Sequence, residues 1–164
     1  MTLEEFNYIA EIIASLAVIA SLIYLAVQVK QGTQAVRLST VHNVTEEFRD
    51  WNNVLATNGG LAAILLKGMQ SPREIEGPDK MRFNCILYSL FTSFENAYVQ
   101  QKAGALDSDE WNGLRQSITD MSNIPGFRSY WDERKHWYGE NFRQFMDTQV
   151  MPVPATEGYR AAGT

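Results

Sequence analysis

Apolar positions follow two different patterns along the chain. The stretch Ile12–Val29, IIASLAVIASLIYLAVQV, runs eighteen residues without a charge and carries polar side chains only at Ser15, Ser21, Tyr24 and Gln28. A soluble amphipathic helix needs a polar stripe, and these four are too few to face water. At about 1.5 Å of rise per residue, residues 9–29 would extend about 31 Å, close to the hydrocarbon thickness of a bilayer. Nine Ile, Leu and Val residues between Ile12 and Val27 favour insertion by a few kcal/mol. Glu11 lies at the end of the span, where a carboxylate reaches the headgroups, so it marks a boundary. The expectation is a membrane anchor over residues 1–30. The alternative is the buried helix of a soluble bundle.

After Gly32 the pattern becomes one-sided. Val41, Val44, Phe48, Trp51 and Leu55 alternate by three and four, a seam of two heptads that packs within the domain or against a second copy. Asn58-Gly59-Gly60 reads as its stop, with glycine taking the left-handed conformation. A short apolar helix, LAAILLKGM, and the loop QSPREIEGPD follow. Pro78 suits the first turn of the longest helix, which runs to Gly104 and carries Ile86, Leu87, Leu90, Phe91, Phe94, Ala97 and Tyr98 on its core face. Asp107 with Glu110 resembles a capping box and opens a helix to about Met121. Asn123-Ile124-Pro125-Gly126 breaks it; helices over residues 127–138 and 140–150 come next. No segment alternates strictly enough for a half-buried strand. The predicted fold class is all-α: a single N-terminal transmembrane helix, a small helical bundle over 31–151, and a disordered tail over 152–164.

Charge and composition narrow the function classes. With 14 Lys and Arg against 19 Asp and Glu the net charge is −5, and no basic stripe is present, which argues against nucleic acid. The single cysteine, Cys85, cannot form an internal disulfide, and its apolar helical setting reads as a small buried hydrophobe. His42 and His136 have no His or Cys within a helical turn or two, as metal ligation would require. GxSxG, GxxxxGK[ST] and GxGxxG are absent. No catalytic, cofactor-binding or metal residue is therefore assigned, and the chain reads as a non-enzyme. A hydrolase would need acids converging in a cleft around Glu95.

Flanking residues set the expected topology. Glu4 and Glu5 precede the apolar span, whereas Lys30 and Arg37 follow it, so the positive-inside rule puts the C-terminal domain in the cytoplasm. The opening MTLEEF lacks the basic start of a cleaved signal peptide, so the span should be retained. Ala10, Ala14, Ala17 and Ser21, spaced four, three and four, form a small-residue face where a second membrane helix can approach; the commonness of alanine in such helices is the competing account.

Six further residues are candidates for an interaction surface or a pocket. Trp51 belongs to the two-heptad seam. Glu95, with Asn96, interrupts a buried face and should turn to solvent or pair with Arg115 or Arg134. Tyr98, Trp111 and Trp131, together with Phe91 and Phe94, could line a pocket. Arg134 lies among Phe127, Tyr130, Trp131, Trp137 and Tyr138, a mixture that suits cation–π contacts at an interface and equally suits a core helix.

Three segments carry a resemblance: IAEIIASLAVIASLIYLAVQVKQGTQAVR (9–37), FENAYVQQKAGALDSDEW (94–111) and PGFRSYWDERKHWY (125–138). Their order is similar to that in a group of uncharacterised bacterial proteins with one N-terminal transmembrane helix and a small helical domain. The resemblance implies that topology and a bacterial inner-membrane setting, and no activity. The functional expectation is a membrane-anchored accessory or interaction protein, either a subunit of a larger inner-membrane complex or a self-associating scaffold. Its partners would be membrane lipid and another membrane protein or itself, with no nucleic acid and no cofactor. A membrane-tethered ligand-binding sensor with an aromatic pocket is the alternative.

Overall fold

A computed structural model describes residues 3–155, with the side chains of residues 3–6, 9 and 10 outside the described set. The described residues form six α-helices and no strand: α1 (Leu3–Thr57), α2 (Gly59–Gln70), α3 (Gly77–Lys102), α4 (Ser108–Met121), α5 (Pro125–Arg134) and α6 (Glu140–Phe145). A 3-10 turn, Lys135–Trp137, follows α5, and a π turn, Met146–Val150, extends α6. The chain divides into two compact units, Met1–Ser39 and Thr40–Thr164.

The first unit is helical throughout its described residues, and every side chain from Glu11 to Ser39 is exposed. Its most apolar window is long and apolar enough to cross a membrane, and none of that window is buried. Polar side chains here bond within their own helix. Ser15 Oγ donates to the Glu11 carbonyl and Ser21 Oγ to the Ala17 carbonyl, each at 2.8 Å, and Gln28 Nε2 donates to the Tyr24 hydroxyl at 2.7 Å. Such local bonds reduce the cost of carrying hydroxyls and amides in an apolar setting. The helix runs through Gly32 without a break. A lone glycine costs a helix roughly 0.5–1 kcal/mol relative to alanine, too little to end one without a neighbouring turn residue.

In the second unit the helices pack around α3. Its buried residues Phe83, Leu87, Leu90, Phe91, Phe94, Ala97 and Tyr98 recur at three to four positions and form one continuous face. Pro78 stands in the first turn, and Gly104, at φ 72°, provides the left-handed stop. Asp107 caps α4 by accepting from the Asp109 amide at 3.0 Å. From α1, Val44 is buried and Phe48 meets Phe94 at a ring-centroid distance of 4.8 Å, so the seam packs on this unit's own core. Gly59 and Gly60 do not take the left-handed conformation. Asn58 instead opens α2, its side-chain oxygen accepting from the Leu61 amide at 3.1 Å.

Where α2 meets α5 the backbones touch. A Cβ built on Gly126 would lie 2.1 Å from the Gly68 carbonyl oxygen, and one on Gly68 would lie 2.4 Å from the Phe83 ring. Gly126 therefore does more than break the preceding helix. The chain after α6 is also held. Arg128 Nη2 donates to the Met151 carbonyl at 2.9 Å, Asn123 Nδ2 donates to the Val153 carbonyl at 3.1 Å, and Ala155 is buried. Residues 156–164 of the expected tail lie outside the described set.

Candidate interaction surface

Most of the rings named from the sequence sit in the core. Phe91 is fully buried, with ring centroids of Phe127 at 4.4 Å, Tyr130 at 5.2 Å and Trp131 at 5.4 Å. Trp111 packs on Phe145 at 5.4 Å, and Tyr98 stacks on Phe145 at 4.9 Å. Phe91 and Trp131 are enclosed by these ring contacts, whereas Tyr98 and Phe145 also face a cleft beside α6. Trp131 is 1% exposed, and its indole N–H donates to Asp147 at 2.8 Å. Lys135 Nζ reaches the other oxygen of Asp147 at 3.2 Å, so the pair ties α5 to the π turn.

Glu95 and Asn96 have partners other than the expected arginines. Glu95 accepts the Gly139 amide at 2.7 Å, holding the residue that caps α6, and Asn96 donates to Glu47 at 2.8 Å, linking α3 to α1. Glu95 therefore has a structural role that its sequence context, a polar residue on a core face, already allowed. Beside it, the Tyr130 and Tyr138 hydroxyls lie 3.0 Å apart in the interior. Burial raises the pKa of both phenols above the ordinary value, and for Tyr138 the bond to Tyr130 adds to the effect. A cleft of about 720 Å³ lies between α3 and α6, with Glu95, Tyr98, Lys102 and Phe142 among its walls.

The opposite side of α3 is exposed and carries apolar groups. Met81, Cys85 and Tyr88, spaced four and three, form a ridge pointing away from the core. Cys85 is exposed, correcting its reading as a buried hydrophobe. It stands two residues from both Phe83 and Leu87, about 200° around the helix from each, which turns it outward.

Two clefts flank this ridge, and Cys85 and Ser89 line both. One, of about 670 Å³, lies between α3 and the end of α5, with Lys80, Met81, Tyr88, Arg134 and Trp137 in its walls. The other, of about 450 Å³, lies between α3 and the last turns of α1, with Glu47, Asp50, Trp51, Val54 and Ile86. Trp51 is half-buried and donates its indole N–H to the Ile86 carbonyl at 3.1 Å. The Arg134 guanidinium lies 4.8 Å from the Trp137 ring centroid, and its Nε is buried without a hydrogen-bond partner. Trp137 is itself 55% exposed and meets Tyr88 edge-on at 6.0 Å.

The structure thus brings Trp51 and Arg134 to the two sides of one ridge and places Trp111 and Trp131 inside. Trp137, named from the sequence only as a member of the aromatic cluster around Arg134, is the surface tryptophan of that cluster. The outward spacing of Met81, Cys85 and Tyr88 was the available signal for the ridge. Of the small-residue face, Ala14, Ala17 and Ser21 lie along one side of the first unit's helix, exposed; the Ala10 side chain is outside the described set. No protein-family model matches the chain, no curated protein matches it, and no solved structure matches it.

Proposed function

We propose that the chain is a single-pass bacterial inner-membrane protein whose helical domain is an interaction module on the cytoplasmic side. The observation that carries this reading is the stretch Ile12–Val29, uncharged over eighteen residues and exposed at every one of them. In water that surface is costly; in hydrocarbon each Ile, Leu or Val contributes roughly −0.3 to −0.6 kcal/mol, and the helical backbone is already satisfied. Lys30 and Arg37 on the C-terminal flank support a cytoplasmic domain. The exposed aromatic ridge on α3 supports a role in protein contact, since aromatic and arginine side chains supply much of the binding energy at interfaces.

Fractionation of cells expressing the full-length chain tests the anchor: it should pellet with membranes, resist alkaline carbonate and dissolve in mild detergent. A folded, monodisperse chain in the high-speed supernatant would overturn the reading. Sidedness has a built-in probe, because the only cysteine, Cys85, is exposed. A membrane-impermeant maleimide should leave it unmodified in intact spheroplasts and label it after lysis. Labelling before lysis would place the domain outside.

A further inference from the structure

The two clefts beside the α3 ridge carry opposite charge. The cleft toward α5 has Lys80 and Arg134 in its walls and no acid. The cleft toward α1 has Glu47 and Asp50 and no base. Between them runs the ridge at Cys85 and Ser89, which belongs to both. From this arrangement we infer that the module's partner on this face is a second copy of the chain, docked about a two-fold axis close to Cys85. The inference rests on the reading of the domain as a tethered interaction module.

An isologous interface requires a self-complementary patch, in which residue i of one copy meets residue j of the other and the reverse. A two-fold axis along the ridge turns the cleft that holds Lys80 and Arg134 in one copy toward the cleft that holds Glu47 and Asp50 in the other, twice. It also lays the exposed rings of Tyr88 and Trp137 over Trp51 and Val54 of the second copy, covering apolar surface on both. The nearby Glu133, 4.0 Å from Lys80, and Asn96, bonded to Glu47, leave the two clefts opposite in sign. A small anion would use one cleft and leave the other open. A second copy fills both. Tethering to one bilayer raises the effective concentration of the copies, so a patch smaller than a standard solution interface suffices.

The test uses the full-length chain in its native membranes and its single cysteine. A short bismaleimide should convert the 18.6 kDa chain into a covalent dimer, and Cys85→Ser should abolish the product. Asp50→Lys and Lys80→Glu, each alone, should lower the dimer yield about tenfold or more by setting like charges together. Both variants leave the Asn96–Glu47 bond and the Arg134–Trp137 stack in place, and far-UV circular dichroism of each in detergent checks the helices. Co-expressing the two variants with different tags should restore cross-linking as a mixed dimer. The inference fails if no dimer forms although Cys85 reacts with a monofunctional maleimide. It fails equally if the yield ignores the charge reversals, as random collision would give, or if Cys85 couples only to a different protein. Pelleting of the chain with membranes is scored in the same samples, so failure of the dimer is distinguished from failure of the anchor.

Discussion

The apolar helix of Ile12–Val29 and the apolar helix α3 differ in what covers them. In α3 the apolar residues occupy one face, from Phe83 to Tyr98, and rings from the rest of the second unit cover that face. In Ile12–Val29 they occupy every face, and every side chain of that stretch is exposed. One-sided patterning permits a protein core to satisfy a helix, because its other side meets water. All-round patterning calls for an apolar solvent on every side, supplied by a bilayer or by other chains. Hydrophobic content alone therefore says little about a helix; the angular distribution carries the information.

Disrupting the first helix should have the largest effect. Ile19→Arg with Leu22→Arg adds two charges near the middle of the span, each costing about 2.5–3.5 kcal/mol there. The chain should shift from the membrane pellet to the supernatant or be degraded, whereas its second unit retains its near-ultraviolet circular dichroism if recovered. Continued carbonate-resistant pelleting would mean that lipid is not what solvates this helix.

The comparison sharpens within α3 itself, across its two faces. Phe91→Ala empties the centre of the ring cluster and should cost about 3–5 kcal/mol. Met81→Ala, on the outer ridge, should change stability by no more than about 0.5 kcal/mol. Denaturant melts of both variants in mild detergent decide this, and equal losses would contradict the assignment of faces.

Gly126→Ala should destabilise by about 1–3 kcal/mol or more, although alanine is the better helix former. The obstacle is the backbone of Gly68 and Met69, which no rotamer change can move aside. A neutral or stabilising result in the same melts would show that α2 and α5 are not in backbone contact.

The smallest effect concerns the Tyr130–Tyr138 pair. Burial lifts both phenols above the ordinary value of 10.0, so the unfolded chain loses these protons first as pH rises. Below about pH 10 both states keep them and stability is unaffected; above it the unfolded state binds fewer protons, and stability falls with rising pH. Tyr138→Phe should cost about 0.5–1.5 kcal/mol near neutrality, for the lost hydroxyl bond, and should flatten the alkaline decline. Melts at neutral pH and at about pH 11 provide the check, and an unchanged alkaline slope would count against these phenols as its source.

Several elements were legible because their signals are local. Pro78 and Gly104 bracket α3, Asp107 opens α4, and the apolar spacing identified Leu87, Leu90, Phe91, Phe94, Ala97 and Tyr98 on the buried face of α3, though it missed the buried Phe83 and included the half-buried Ile86. Misreadings arose where a residue type was weighed without its angular position or its distant neighbours. Cys85 was grouped with the apolar residues around it, although its register turns it outward. Gly59 and Gly60 resemble a helix stop, yet Asn58 makes them the first turn of α2. Trp131 and Trp137 are six residues apart in one aromatic-rich segment, which on an α-helix sets them about 120° from each other, so the two rings were grouped by type although their angular positions differ.

By itself, then, the order of residues determined that this chain is helical, where most helices begin and end, and that one of them is apolar on all sides. Those properties depend on backbone propensity, capping and periodicity, which act within a few residues. Only the tertiary structure decided that Gly126 sits against the α2 backbone, that Glu95 holds Gly139, and that the α3 ridge lies between an acidic and a basic cleft. Each of these joins residues far apart in sequence, and such pairings follow from how whole faces pack, which no local pattern encodes.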